Sequence, residues 1–181
     1  MEKNQKETIK KPNISLILDS YNDIFSDFDP RKYSERALSD DFLSEVRRAS
    51  RDKPSGEIEL NFLIPKNKRS VLYESLIKKR LKEHFKKHYA LLHNETNSIR
   101  KKGGLFVFFG ILTMFIATLI LHYAPSDKLL YSFLVILFEP GGWFLFWEGL
   151  SLIIFKPNEK KAELEFYNKM SKASINFNSY E

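Results

Sequence analysis

Residues 105–124 read LFVFFGILTMFIATLILHYA, 20 residues without a formal charge. Crossing a hydrocarbon core of about 30 Å takes about 20 helical residues. A core helix of a water-soluble protein is rarely this long and apolar all round, so the stretch is expected to span a bilayer. Arg100, Lys101 and Lys102 precede it, and Gly103-Gly104 between them is expected to loosen the junction. Residues 124–128, APSDK, follow as a turn: Pro125 ends the helix, and Ser126-Asp127 suits a tight connection or the next helix cap.

Residues 129–155, LLYSFLVILFEPGGWFLFWEGLSLIIF, form a second apolar segment closed by Lys156 and Pro157. Basic residues crowd the outer flanks of the pair, whereas the turn holds only Lys128. By the positive-inside rule both termini are expected in the cytoplasm of a multi-pass membrane protein. The opening MEKNQKE has no apolar run behind it and predicts no signal peptide, and Glu2 predicts no myristoyl anchor.

The second segment is more than an anchor. Its middle is Glu139-Pro140-Gly141-Gly142-Trp143. Proline removes a helix hydrogen bond and glycine loosens the backbone, so a kink or short break is expected. At about 1.5 Å per residue, Glu139 lies about 15 Å from the outer end and Glu148 about 11 Å from the cytosolic end. A carboxylate at that depth costs several kcal/mol unless it is neutral, paired or wet. Neither segment holds a Lys or Arg to pair with it. Thr113 and Thr118 are candidate donors, and His122 is too near the outer end. Protonation, backbone amides freed by the proline, or a neighbouring subunit would resolve the problem. Two readings stand: an ion, proton or partner site, or a structural acid at a kink or an oligomer contact. The Pro-Gly-Gly run favours the second. Trp143 and Trp147, four apart, share a helix face and are expected to pack on a neighbouring helix.

Net charge is +6, unevenly placed. Residues 66–102 hold 12 Lys/Arg against Glu74, Glu83 and Glu95, while residues 1–56 and 157–181 balance. An excess directly before a span reads as attraction to an anionic inner leaflet, not as nucleic-acid binding. Within it, a helix from about residue 67 to at least 92 carries Ile77, Leu81, Phe85, His88 and Leu92 on one stripe, flanked by Lys78, Lys79, Lys82, Lys86 and Lys87. His84 and His88 are at i, i+4 but lack a third ligand, so a plain helix surface is expected and no metal.

The remaining chain predicts a small cytosolic α/β domain. Residues 57–64 alternate, with Ile58, Leu60, Phe62 and Ile64 on one side and only Leu63 out of step. Ser39-Asp40-Asp41 opens a helix through about Ser50, and Asp29-Pro30 reads as another helix start. Residues 162–172 predict a short helix and residues 174–180 an edge strand. Residues 13–28 fit either a helix or a strand followed by a loop. A strand over residues 14–18 is preferred because it would complete a three-stranded sheet with helices on one face. The expected organisation is a disordered tail (1–12), the α/β domain ending in the basic helix (13–102), a transmembrane hairpin (103–155) and a C-terminal helix and strand (156–181).

The acidic-aromatic stretch DSYNDIFSDFDPR holds Asp19, Asp23, Asp27, Asp29 and Arg31. It lacks the glycine and terminal glutamate of an EF-hand. A cation or peptide partner site there competes with plain Asx-turns and caps. The phrases FSDFDPR, ALSDDFL and EPGGWFLFWEGL resemble those of a group of small two-pass prokaryotic membrane proteins; the resemblance covers nearly the whole chain and implies no activity. Cysteine is absent, which excludes disulfides and thiolate chemistry. No Walker loop, dinucleotide fingerprint, HExxH or GxSxG occurs, so no enzyme and no cofactor are expected. The expected function is a membrane-anchored interaction or sensing module that binds a protein partner and forms a homo-oligomer. The competing expectation is a small channel lined by Glu139.

Overall fold

The computed structural model describes residues 12–53, 58–123 and 129–180. The readings for the N-terminal tail, for residues 54–57 and for the turn at 124–128 lie outside them. The elements run β1 (Asn13–Ile17), α1 (Asp40–Arg51), β2 (Glu59–Pro65), α2 (Val71–Tyr123), α3 (Leu129–Glu159), α4 (Lys161–Lys172) and β3 (Ser174–Tyr180). The chain divides into two units, residues 1–90 with 163–181 and residues 91–162.

The first unit is built on a three-stranded sheet ordered β1-β2-β3, with both pairs parallel. Alternation dictates β2: Leu60, Phe62 and Ile64 are fully buried, and Glu59, Asn61 and Leu63 line the less buried face. On that second face Asn176 Nδ2 donates to Asn61 Oδ1 at 3.2 Å. Residues 13–17 are strand, paired in register from Asn13 opposite Glu59 to Ile17 opposite Leu63. The helical alternative ends there, because Ser20 and Asp23 form a capping box that opens only a 3-10 turn, Tyr21–Ile24. Buried Phe42 and Val46 on α1, Ile77, Leu81 and Phe85 on α2, and Phe166 and Met170 on α4 complete the core. Each such side chain contributes about 1.5–3 kcal/mol of burial.

The Ser39 signal opens α1 as expected: the Ser39 hydroxyl accepts from Phe42 N, with Asp40 and Asp41 in the first turn and Arg48 and Arg51 in the last. The Asp29-Pro30 signal does not open a helix. The Asp29 carboxylate instead accepts from Arg31 N (3.1 Å) and Ala37 N (2.7 Å), and pairs with the Arg31 guanidinium at 2.7 Å. These bonds hold a loop that closes where Phe25 bridges Leu38.

The apolar stretches fall in two helices long and apolar enough to cross a membrane. α2 is one helix of 53 residues, about 80 Å at 1.5 Å per residue. The expected basic helix and the first apolar segment are therefore continuous, and Gly103-Gly104 does not interrupt them. The basic helix begins at Val71, after a 3-10 turn at Lys66–Lys68. α3 likewise runs through Pro140 and on past Lys156 and Pro157, so of the expected kink or short break the break is absent, and so is the early stop. A proline deletes one hydrogen bond, and the bonds of the flanking turns carry the helix across it.

Candidate functional site

Within the second unit α2 and α3 meet where neither has a side chain. A methyl group on Gly110 would lie 2.6 Å from Phe146 N and 2.8 Å from Gly142 O. One on Gly149 would lie 2.7 Å from Gly103 O, and one on Gly103 2.8 Å from Gly149 O. The pairing of 103 with 149 and 110 with 142 makes the helices antiparallel. On α2 the buried small residues Thr96, Gly103, Gly110 and Ala117 recur every seventh position. That period keeps one stripe facing its partner through a left-handed supercoil. At Gly103 and Gly110 the seam leaves no room for water between the two helices.

The same seam sorts the other expected residues. Gly142 is buried in it, whereas Gly141 meets nothing within 4 Å and Pro140 is exposed. Glu139 is exposed, and so are Trp143 and Trp147, at 56% and 51%. Spaced by four, these three residues share a helix face. The two indoles meet edge to face at 5.6 Å. Glu148 is half-buried. Neither carboxyl has a partner among the described residues. The expected hydroxyl donors are engaged elsewhere: Thr113 and Thr118 donate to Phe109 O and Met114 O within their own helix.

The basic residues divide by position. Lys79, Lys82, Lys86, Lys87, Arg100, Lys101 and Lys102 are exposed, and Lys78 lies half-buried with its ammonium 5.7 Å from the Phe177 ring centre. The acids of the aromatic stretch serve the backbone. Asp23 accepts from Asp19 N (2.7 Å) and Ser20 N (3.0 Å), Asp29 holds its loop, and Asp27 reaches only Arg36, at 3.9 Å. Arg31 holds the Asp29 carboxyl well below the usual carboxylate range. These acids are not gathered at one point. Among the described residues no group of three His, Asp or Glu could hold a metal.

Two clusters of the first unit escape a reading by local spacing. Buried Glu74 accepts from Arg69 Nε at 2.8 Å and from Tyr21 OH at 3.1 Å, while Tyr21 oxygen accepts from Ser70 N at 2.8 Å. The Arg69 bonds, chiefly, lower the Glu74 carboxyl below its ordinary value. The second cluster corrects the plain surface expected at His84 and His88. Their rings lie 4.2 Å apart, and Tyr167 of α4 stacks on His88 at 5.2 Å. His84 Nε2 is buried without a hydrogen-bond partner. Burial first, then the charges of His88, Arg80 and Lys87, push His84 down to about 4.

No protein-family model, curated protein or solved structure matches the chain.

Proposed function

We propose that this chain is a two-pass integral membrane protein whose α/β unit works on the cytosolic side as an interaction or sensing module. One observation carries the reading. β2 and β3 are hydrogen-bonded neighbours, yet the chain between them contains both apolar helices. A sheet closed in this way requires the chain to return to the side it left, which is what two crossings achieve. The weight of Lys and Arg before the first crossing favours the cytosol for that side.

Self-association through the face of Glu139, Trp143 and Trp147 is part of the proposal. The glycine seam runs along a neighbouring stripe of α3 and leaves this face exposed, and a carboxyl facing hydrocarbon costs several kcal/mol unless a partner receives it. A second copy offers a hydrogen-bonding carboxyl of its own and two indole N–H donors. The competing channel reading gains nothing from a single hairpin, because the backbones touch along the seam; a conducting path would have to run between copies.

Cysteine accessibility in the native membrane tests the layout. Ser126→Cys should react with an impermeant maleimide from outside, and cysteines at either terminus only after the membrane is opened. Outside labelling of either terminus would overturn the layout.

A further inference from the structure

The acidic stretch ends in a basic pocket. Arg31, Lys32, Tyr33, Arg36, Tyr73 and Leu76 line a cavity of about 410 Å³ in the first unit. That volume is in the range of small-molecule sites. Every charged lining residue is a cation. The nearby acids are Asp29, bound to Arg31 and to backbone amides, Asp27, which is 90% exposed beside Arg36, and Glu35 near Arg31.

The two arginines are held in place before any ligand arrives. Arg36 donates twice to Ser26 O, at 3.0 and 2.8 Å, and to Asn22 Oδ1 at 2.9 Å, which leaves its side chain only 14% exposed. Tyr33 OH donates to the same Asn22 oxygen at 3.0 Å. Arg80 Nε anchors the loop through Arg36 O at 3.0 Å. Arg31 uses Nε and Nη2 on Asp29, so its Nη1 edge stays available. Lys32 is exposed, and its ammonium has no partner among the described residues. Tyr73 and Leu76 add apolar lining: the half-exposed ring of Tyr73 stands edge-on to Tyr33 at 5.3 Å, beside Leu76 in the cavity wall.

We propose that this pocket binds a phosphate monoester joined to a flat apolar body. Guanidinium and ammonium donors of Arg31 and Lys32, both in the lining, suit a dianion, and charge-assisted bonds are about twice as strong as neutral ones. The fixed Arg36 lends positive field at the floor, and Tyr73 with Leu76 takes the apolar body. The inference goes beyond the membrane reading and does not depend on it. The same chemistry could come from a soluble organophosphate or from the headgroup of a phosphatidate lipid.

Phenyl phosphate is the probe, titrated by calorimetry into the full chain in neutral phosphatidylcholine nanodiscs, with phenol and inorganic phosphate as controls. We expect saturable binding about tenfold tighter than either control, weakened about tenfold by Lys32→Ala and further by Lys32→Glu. The Lys32 side chain holds nothing in the fold, and its carbonyl, which accepts from Glu35 N and Arg36 N, is untouched by substitution, so both variants should fold as the parent does. Nuclear Overhauser contacts should join the phenyl ring to Tyr73 and Leu76. Displacement of the probe when phosphatidate is added to the disc assigns the headgroup; retention assigns the soluble ester. Binding no tighter than phenol, or parental affinity in Lys32→Glu, overturns the site.

Discussion

The carbonyl oxygen of Gly142 lies 2.8 Å from the point where a side chain on Gly110 would begin. No rotamer relieves such a contact, since the opposing atom is backbone. The two helices can hold their separation only while both positions lack a Cβ.

Gly110→Ala and Gly142→Ala should therefore each destabilise the helix pair by about 1–3 kcal/mol, the usual range for overpacking. Gly104→Ala and Gly141→Ala meet open space and should be neutral or stabilising by up to about 1 kcal/mol through helix propensity. Thermal unfolding of the four variants in one detergent checks this. Equal losses for Gly110 and Gly104 would mean that the seam is not where the helices meet.

Glu139→Gln keeps the shape and hydrogen-bonding capacity of the protonated acid, so self-association should survive it. Glu139→Lys sets a persistent charge on the shared face, and association should fail. Sedimentation in detergent and crosslinking in liposomes, at positions 139 and 143, measure both. A chain that is monomeric throughout, with the lysine variant behaving as parent, would remove the proposed contact. An ion flux that falls in Glu139→Gln at unchanged oligomer size would instead favour conduction between copies.

His84 makes stability depend on pH in the acid range. In the unfolded chain the imidazole takes a proton near 6.5, but in the folded chain only near 4. Between those values the unfolded chain binds more protons, so stability rises with pH. The contribution is complete above about pH 6.5 and is lost as the pH falls toward 4. We expect a loss of about 2 kcal/mol between pH 7 and pH 4 from this residue, allowing for partial solvent access. The facing groups His88, Arg80, Lys87 and Tyr167 remain in His84→Leu, which should flatten the slope of the melting temperature against pH in that window. An unchanged slope would assign the pH dependence elsewhere.

Tyr21→Phe should cost about 1–2 kcal/mol. The hydroxyl joins two groups, donating to Glu74 and accepting from Ser70 N, and its loss leaves that amide without this acceptor. Urea unfolding of the parent and the variant at pH 7 gives the value, and a difference below a few tenths would show that water replaces the hydroxyl.

Local chemistry decides much of this chain. Whether residues 105–124 and 129–155 make long apolar helices depends on hydropathy and length, both readable along one line. So do the alternation around Leu60, Phe62 and Ile64 and the Ser39 cap, whose hydrogen bond reaches only to Phe42. Asp29-Pro30 marks the limit of that legibility. Asp at such a position can cap a helix or tie a turn, and the choice fell to Ala37 N, eight residues on.

Tertiary packing decides the rest, because the deciding partners are distant in sequence. Gly103 and Gly104 are interchangeable on paper, yet only Gly103 faces α3, so one is a contact and the other is merely tolerated. Tyr167 falls on His88 because β3 must return beside β2, bringing α4 back against the start of α2 within the first unit. The acids of residues 19–29 dominate the sequence, but backbone amides and arginines claim most of them once the loop closes. What the folded surface offers there is Arg31 and Lys32, a reversal of charge that no pattern of spacing contains, since it depends on which groups find partners and which are left to water.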